Sequence, residues 1–181
     1  TGDGWRLPLW TEVLLYGSMP AFHLHTFLFL SCVAAGAFLA SESTRRHLAW
    51  MVGASFAPAT ILVLFVMGFF KGPSMLGWKP GWMQEQPGLL GFLDFWLTNF
   101  GVLPFVVGAL VVTLVRERNS KWPAIIVFTS LAIFLICCFV TFAPWEWDNT
   151  KLMVWSYLAI LPALWHFVLG RWPEWLRGIT C

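Results

Sequence analysis

The stretch Trp122-Pro123-Ala124-Ile125-Ile126-Val127-Phe128-Thr129-Ser130-Leu131-Ala132-Ile133-Phe134-Leu135-Ile136-Cys137-Cys138-Phe139-Val140-Thr141-Phe142 runs without one Asp, Glu, Lys or Arg. A helix advances ~1.5 Å per residue, so roughly 20 apolar residues cross the ~30 Å of hydrocarbon in a bilayer. Working outward, four further stretches have the same character: Pro20 to Ala40, Ala49 to Phe70 around Pro58, Leu97 to Val115, and Leu152 to Gly170 around Pro162. Pro20 suits a helix start, and Pro58 an interior kink. The sequence therefore predicts an all-α, polytopic transmembrane bundle of about five spans, forming a single domain over residues 1–181.

Composition agrees. Hydrophobic residues make up 59% of the 181, aromatics 18% and charged residues 11%, and the mean hydropathy is +0.73. A soluble domain does not tolerate that balance. A net charge of +2 without a dense Lys/Arg block excludes nucleic acid as a partner. Cys32, Cys137 and Cys138 fall inside apolar runs and form no CxxC or CxxCH motif, so they read as packing residues. The chain opens Thr-Gly-Asp-Gly, with neither Met nor a signal-peptide pattern, and stops at Cys181 just past an apolar stretch. A piece of a longer protein would look the same.

Basic residues set the expected orientation. Arg45 and Arg46, then Arg116, Arg118 and Lys121, then Arg171 and Arg177 fall on alternate connections. The positive-inside rule places these in the cytoplasm, the N-terminus outside and the C-terminus inside, in a bacterial cytoplasmic (inner) membrane. The outer connection, residues 71–96, is long. Gly72-Pro73, Lys79-Pro80-Gly81 and Gln86-Pro87-Gly88 punctuate it as turns, and Gly88 to Trp96 reads as a short apolar helix on or in the membrane.

Polar groups gather toward that outer side. Glu12, His23, His25, Glu85, Asp94, Asn99, Glu146, Asp148, Asn149 and Lys151 map there, with Trp78, Trp82, Trp96, Trp145 and Trp147 among them. Carboxylates beside indoles suit sugars or polar lipid heads, because the flat ring stacks and the carboxylate accepts hydroxyl hydrogen bonds or moves protons. The plainer explanation is interfacial anchoring, for which Trp is enriched at membrane boundaries. His23 and His25, two apart on one helix, point to nearly opposite faces and so do not share a metal. His47 at the inner boundary and His166 near the inner end of the last span do not match them in depth, so the histidines do not offer the facing pair that a bis-His haem needs. No cofactor is indicated. Asp94 is either a helix cap or part of a site. Asn99 lies a turn inside the membrane, where an amide needs a neighbouring helix or a wet cavity.

Phe142-Ala143-Pro144-Trp145-Glu146-Trp147-Asp148-Asn149-Thr150-Lys151 is the most distinctive segment. Pro144 ends one helix, and Asp148 or Asn149 caps the next. Lys151 in the first turn opposes the helix dipole and needs a partner: Glu146 or Asp148 as a bracing ion pair, or an anionic ligand.

That segment, with Phe95 to Pro104 (Phe-Trp-Leu-x-Asn-x-Gly-x-x-x-Pro) and His23 to Leu28 (His-x-His-Thr-Phe-Leu), resembles bacterial membrane proteins of the GT-C glycosyltransferase-like kind. The resemblance implies glycosyl transfer from a polyprenyl-phosphate sugar at the outer face. Glu146, Asp148 and Lys151 would stand near the donor head, and the outer tryptophans would shape the acceptor groove. The catalytic carboxylate such enzymes carry in their first outer loop has no match here. The competing expectation is a non-catalytic accessory subunit whose helices pack on other membrane subunits, pigments or lipids. A transporter fits less well, since the spans lack ionisable residues that couple ions.

Overall fold

The structure is a computed structural model and describes residues 7–70, 76–86, 88–117, 120–142 and 146–173. The described residues form seven α-helices: α1 Leu9–Phe22, α2 Leu24–Ala40, α3 Glu42–Val66, α4 Gly88–Phe100, α5 Leu103–Arg116, α6 Lys121–Phe139 and α7 Glu146–Phe167. The one pair of strands is minimal, β1 Gly77–Trp78 antiparallel to β2 Val140–Thr141. The chain is thus all-α in substance. Among the described residues three helices are long and apolar enough to cross a membrane: Glu42–Val66, Lys121–Phe139 and Asp148–Arg171. The chain divides into two compact units, Thr1–Met75 and Leu76–Cys181.

In the first unit the apolar run that begins at Pro20 does not start a helix there. Pro20 sits inside α1, fully buried, and the break comes at His23, whose backbone is extended. Proline removes one intrahelical bond near the end of α1, and the His23 ring then starts α2. Its Nδ1 accepts the Thr26 N–H at 3.1 Å and lies 2.7 Å from Thr26 Oγ1. The two helices fold back on each other: Tyr16 hydroxyl meets Ser31 Oγ at 2.7 Å, and the Tyr16 and Phe27 rings are 5.0 Å apart.

α3 returns parallel to α1. Glu12 bonds His47, Ser55 Oγ donates to Val13 O at 3.1 Å, and Gly17 lies against Ser55 and Pro58, where an added Cβ would stand 3.4 Å from the proline ring. Contacts that advance together along both helices fix the parallel direction. Sequence alone set Glu12 on the outer side and His47 at the inner boundary. The bond between them overturns that separation, because α1 is a further leg of the hairpin and begins at the same end as α3.

In the second unit α5, α6 and α7 pack around Val106, Leu110, Leu114, Val127, Ile160 and Leu164. On α5 the buried positions recur every four residues, the stripe a helix presents to a core. Arg171 donates to Glu117 Oε1 at 2.8 Å and closes this end of the unit. The expected span from Leu97 to Val115 is not continuous. α4 and α5 meet at 92°, because Gly101 takes a positive φ of 52°, a conformation that terminates helices. Its N–H caps α4 on Leu97 O at 2.8 Å, and Pro104 then opens α5. The short helix expected at Gly88 to Trp96 is present and continues to Phe100.

Candidate functional site

The end of the second unit away from Arg171 is built on one amide. Asn149 is fully buried near the start of α7. Its Oδ1 accepts the Phe142 N–H at 2.9 Å, and its Nδ2 donates to Val140 O at 2.7 Å and Cys137 O at 3.1 Å. The final carbonyls of a helix have no intrahelical partners, and here a side chain from the next helix supplies one. Trp82 Nε1 donates to the same Cys137 carbonyl at 2.7 Å, while Gly77 and Trp78 pair with Thr141 and Val140. The segment around Gly77 to Trp82 is thereby sewn to the end of α6.

From this clamp a series of aromatic rings descends. Trp78 stacks on Phe139 at 6.1 Å, and Phe139 on Phe92 at 6.0 Å. Phe92 meets Trp96 edge-on at 6.1 Å. Trp96 reaches Phe134 at 5.0 Å and Phe100 at 5.3 Å, and Phe100 reaches Tyr157 at 6.2 Å. Phe92, Trp96 and Phe100 follow one another at intervals of four on α4, so one helix face supplies three of these seven rings.

Through these rings α4 lies against α6 and the first half of α7, and a cleft with two neighbouring lobes lies along that contact. The larger, about 330 Å³, is lined by Leu93, Leu97, Leu103, Leu131, Leu135 and Ile160 with rings between them. The smaller, about 230 Å³, is lined by Met83, Asn99, Thr150, Met153 and Val154, also with rings. Trp96, Phe100, Phe134 and Tyr157 border both lobes. Apolar walls with a few convergent polar groups are the ordinary make-up of a ligand pocket.

The residues expected to carry function are distributed unevenly around this cleft. Asn99 lines the smaller lobe, yet its Nδ2 donates to Phe95 O of its own helix at 2.7 Å rather than to a neighbouring helix. Asp94 is exposed within α4 and is not a cap. Asn149 is committed to the backbone. Lys151 finds its bracing partner in Asp148, at 2.6 Å. Trp145 and the side chains of Glu146 and Trp147 lie outside the described residues.

His23 and His25 belong to the first unit. Their rings lie 5.7 Å apart, since the break at His23 removes the continuous helix that would have opposed them. Among the described residues no group of three or more His, Cys, Asp or Glu is placed to hold a metal. Sequence reading did not single out Tyr157, Thr150 or Phe134. Only a fold that bends α4 onto α6 and α7 brings them together. Compared with known proteins, the chain matches no family model, no curated sequence and no solved structure.

Proposed function

We propose that this is an integral membrane protein that holds a membrane lipid in the cleft between α4, α6 and α7. The carrying observation is the cleft itself: an apolar lobe sized for hydrocarbon beside a second apolar lobe that shares Trp96, Phe100, Phe134 and Tyr157 with it and is bordered also by Asn99 and Thr150. Positive-inside placement of Arg45, Arg46, Arg116, Lys121 and Arg171 sets the cleft toward the outer leaflet. The pairing of Glu12 with His47 supports placing the start of α1 on the same side as the start of α3. A bacterial cytoplasmic membrane suits that orientation.

Glycosyl transfer from a polyprenyl-phosphate sugar is the catalytic form of this reading. Among the described residues no charged side chain lines either lobe, so the phosphate and sugar would sit beyond them, where Asp148 and Lys151 flank Asn149 on α7. The test is photolabelling in lipid nanodiscs with a hexadecyl chain carrying a terminal diazirine. Label concentrated on Phe92–Phe100, Leu131–Cys138 and Met153–Ile160 supports the reading. Label spread evenly over all exposed apolar helix faces contradicts it.

One observation favours a second reading, an accessory subunit. Only 11% of the apolar window of α3 is buried within the chain, against 33% for α6 and 39% for Asp148–Arg171, and Trp50, Phe56, Ile61 and Phe65 stand exposed along it. Such a helix offers a face to partner helices. Co-purification of a stoichiometric membrane partner that is lost on Phe56→Ala/Ile61→Ala would select it.

A further inference from the structure

Resting on the reading that α6 and α7 cross a membrane, and independent of what the cleft holds, we infer that the bilayer is thinned beside α4. Lipid head groups and water, in place of hydrocarbon, then meet the helix face that carries Asp94 and Thr98.

Length comes first. Arg171 is bonded to Glu117, and Ser120, just before α6, donates its N–H to Glu117 O, so α5, α6 and α7 share one end. Measured from that end at ~1.5 Å per residue, α6 rises about 27 Å and Asp148–Arg171 about 35 Å, near or beyond the ~30 Å of hydrocarbon in a bilayer. α5 has 14 residues and stops at about 20 Å. There the chain turns through 92°, which carries α4 across the layer rather than out of it. α4 packs on α6 at Phe134 and Phe139, about 20 and 27 Å above Lys121. From Phe92 to Phe100 it lies below the level where an undisturbed hydrocarbon layer ends.

Charge comes next. Phe92 and Trp96 turn toward α6. Asp94, two residues from each, falls on the opposite face, with Thr98 one turn further on. Both are exposed, and among the described residues Asp94 has no ion-pair or hydrogen-bond partner. A carboxylate set against lipid hydrocarbon is costly, and local thinning with entry of water relieves the cost. A helix shorter than the bilayer is accommodated in the same way. The α4–α5 elbow presents both conditions at one place. At a similar height on the neighbouring helices the exposed residues Ile136 and Leu158 are apolar, so the dip is confined to the α4 side. Since α4 borders both lobes, the dip also lowers the head-group layer to the level of the cleft.

The experiment is done in lipid nanodiscs. Wild type is treated with a water-soluble carbodiimide and glycine amide, or with dicyclohexylcarbodiimide, which partitions into hydrocarbon. Nitroxides on Ile136→Cys and Leu158→Cys, in a background without native cysteines, report whether oxygen or a water-soluble nickel chelate collides with them more often. Glycine amide is expected on Asp94 at a rate within roughly tenfold of that on Glu42, whose side chain is 89% exposed, with oxygen preferred at both nitroxides. Glycine amide slower than that, with a dicyclohexylcarbodiimide adduct in its place, sets Asp94 in hydrocarbon and overturns the inference. Slow reaction with both reagents shows that a partner covers the face, and overturns it too. Nickel preferred at either nitroxide shows water around the bundle at that height, which removes the membrane crossing itself and this inference with it.

Discussion

His47 Nε2 lies 2.5 Å from Glu12 Oε2, joining the first turn of α1 to the start of α3. Both groups are partly open to solvent, with side-chain exposures of 52% and 24%, so the pair contributes at most about 1 kcal/mol. Its value is topological. In a background without native cysteines, Leu9→Cys and Ser43→Cys are expected to react with a membrane-impermeant maleimide from the same side of the membrane. Reaction from opposite sides would break the parallel arrangement of α1 and α3.

Asn149 is the residue whose loss should hurt most. Replacing it with Leu strands the Phe142 N–H and the Val140 carbonyl at a buried site. Each stranded group costs about 1–3 kcal/mol, so a loss of roughly 2–4 kcal/mol is expected in detergent unfolding. Lys151→Met serves as the control. It removes an exposed ion pair and is expected to change stability by less than about 1 kcal/mol.

The contrast between these neighbours shows what sequence could convey. α3, α6 and α7 were legible because uninterrupted apolar length is a property of the chain alone. The Asp148 to Lys151 pair was legible too, since a cation in a first turn calls for a local partner. From sequence Asn149 is a helix cap or a ligand-binding residue, and its bond to the carbonyl of Cys137 is not legible there, because nothing in its neighbourhood says that a carbonyl twelve residues back needs a donor. The elbow at Gly101 was lost for a related reason. Phe100-Gly101-Val102 is apolar throughout, and hydropathy does not register a change of direction. Pro20 misled in the opposite sense: it resembles a helix start, yet His23 makes the break.

The elbow gives its own prediction. At Gly101 an added Cβ meets nothing within 4 Å, so Gly101→Ala is penalised only for the positive φ, about 1 kcal/mol, and Gly101→Asn for less. At Gly91 the added Cβ would stand 2.1 Å from Gln86 O, a backbone clash. Gly91→Ala is expected to exceed Gly101→Ala in thermal destabilisation. The reverse order would mean that α4 does not meet the preceding turn as described.

Ser130 and Ser156 are both fully buried with hydroxyl oxygens that find no hydrogen-bond partner. The Asn149 to Cys137 bond fixes the antiparallel register of α6 and α7. Seven residues along α7 and seven back along α6 lead to this pair, at matching depth. Removing an unsatisfied hydroxyl relieves a desolvation penalty, so Ser130→Ala and Ser156→Ala are each expected to leave stability unchanged or raise it by up to about 1 kcal/mol. A clear loss in either variant would show that the hydroxyl is bonded in the membrane.

Mass spectrometry of lipid retained by the purified protein tests the cleft most directly, comparing wild type with Val107→Trp, which fills the larger lobe from α5. Near one lipid per chain in wild type, lost in the variant while its folding and melting are kept, is the result expected of a lipid-holding cleft. Equal and non-stoichiometric lipid in both proteins would contradict it.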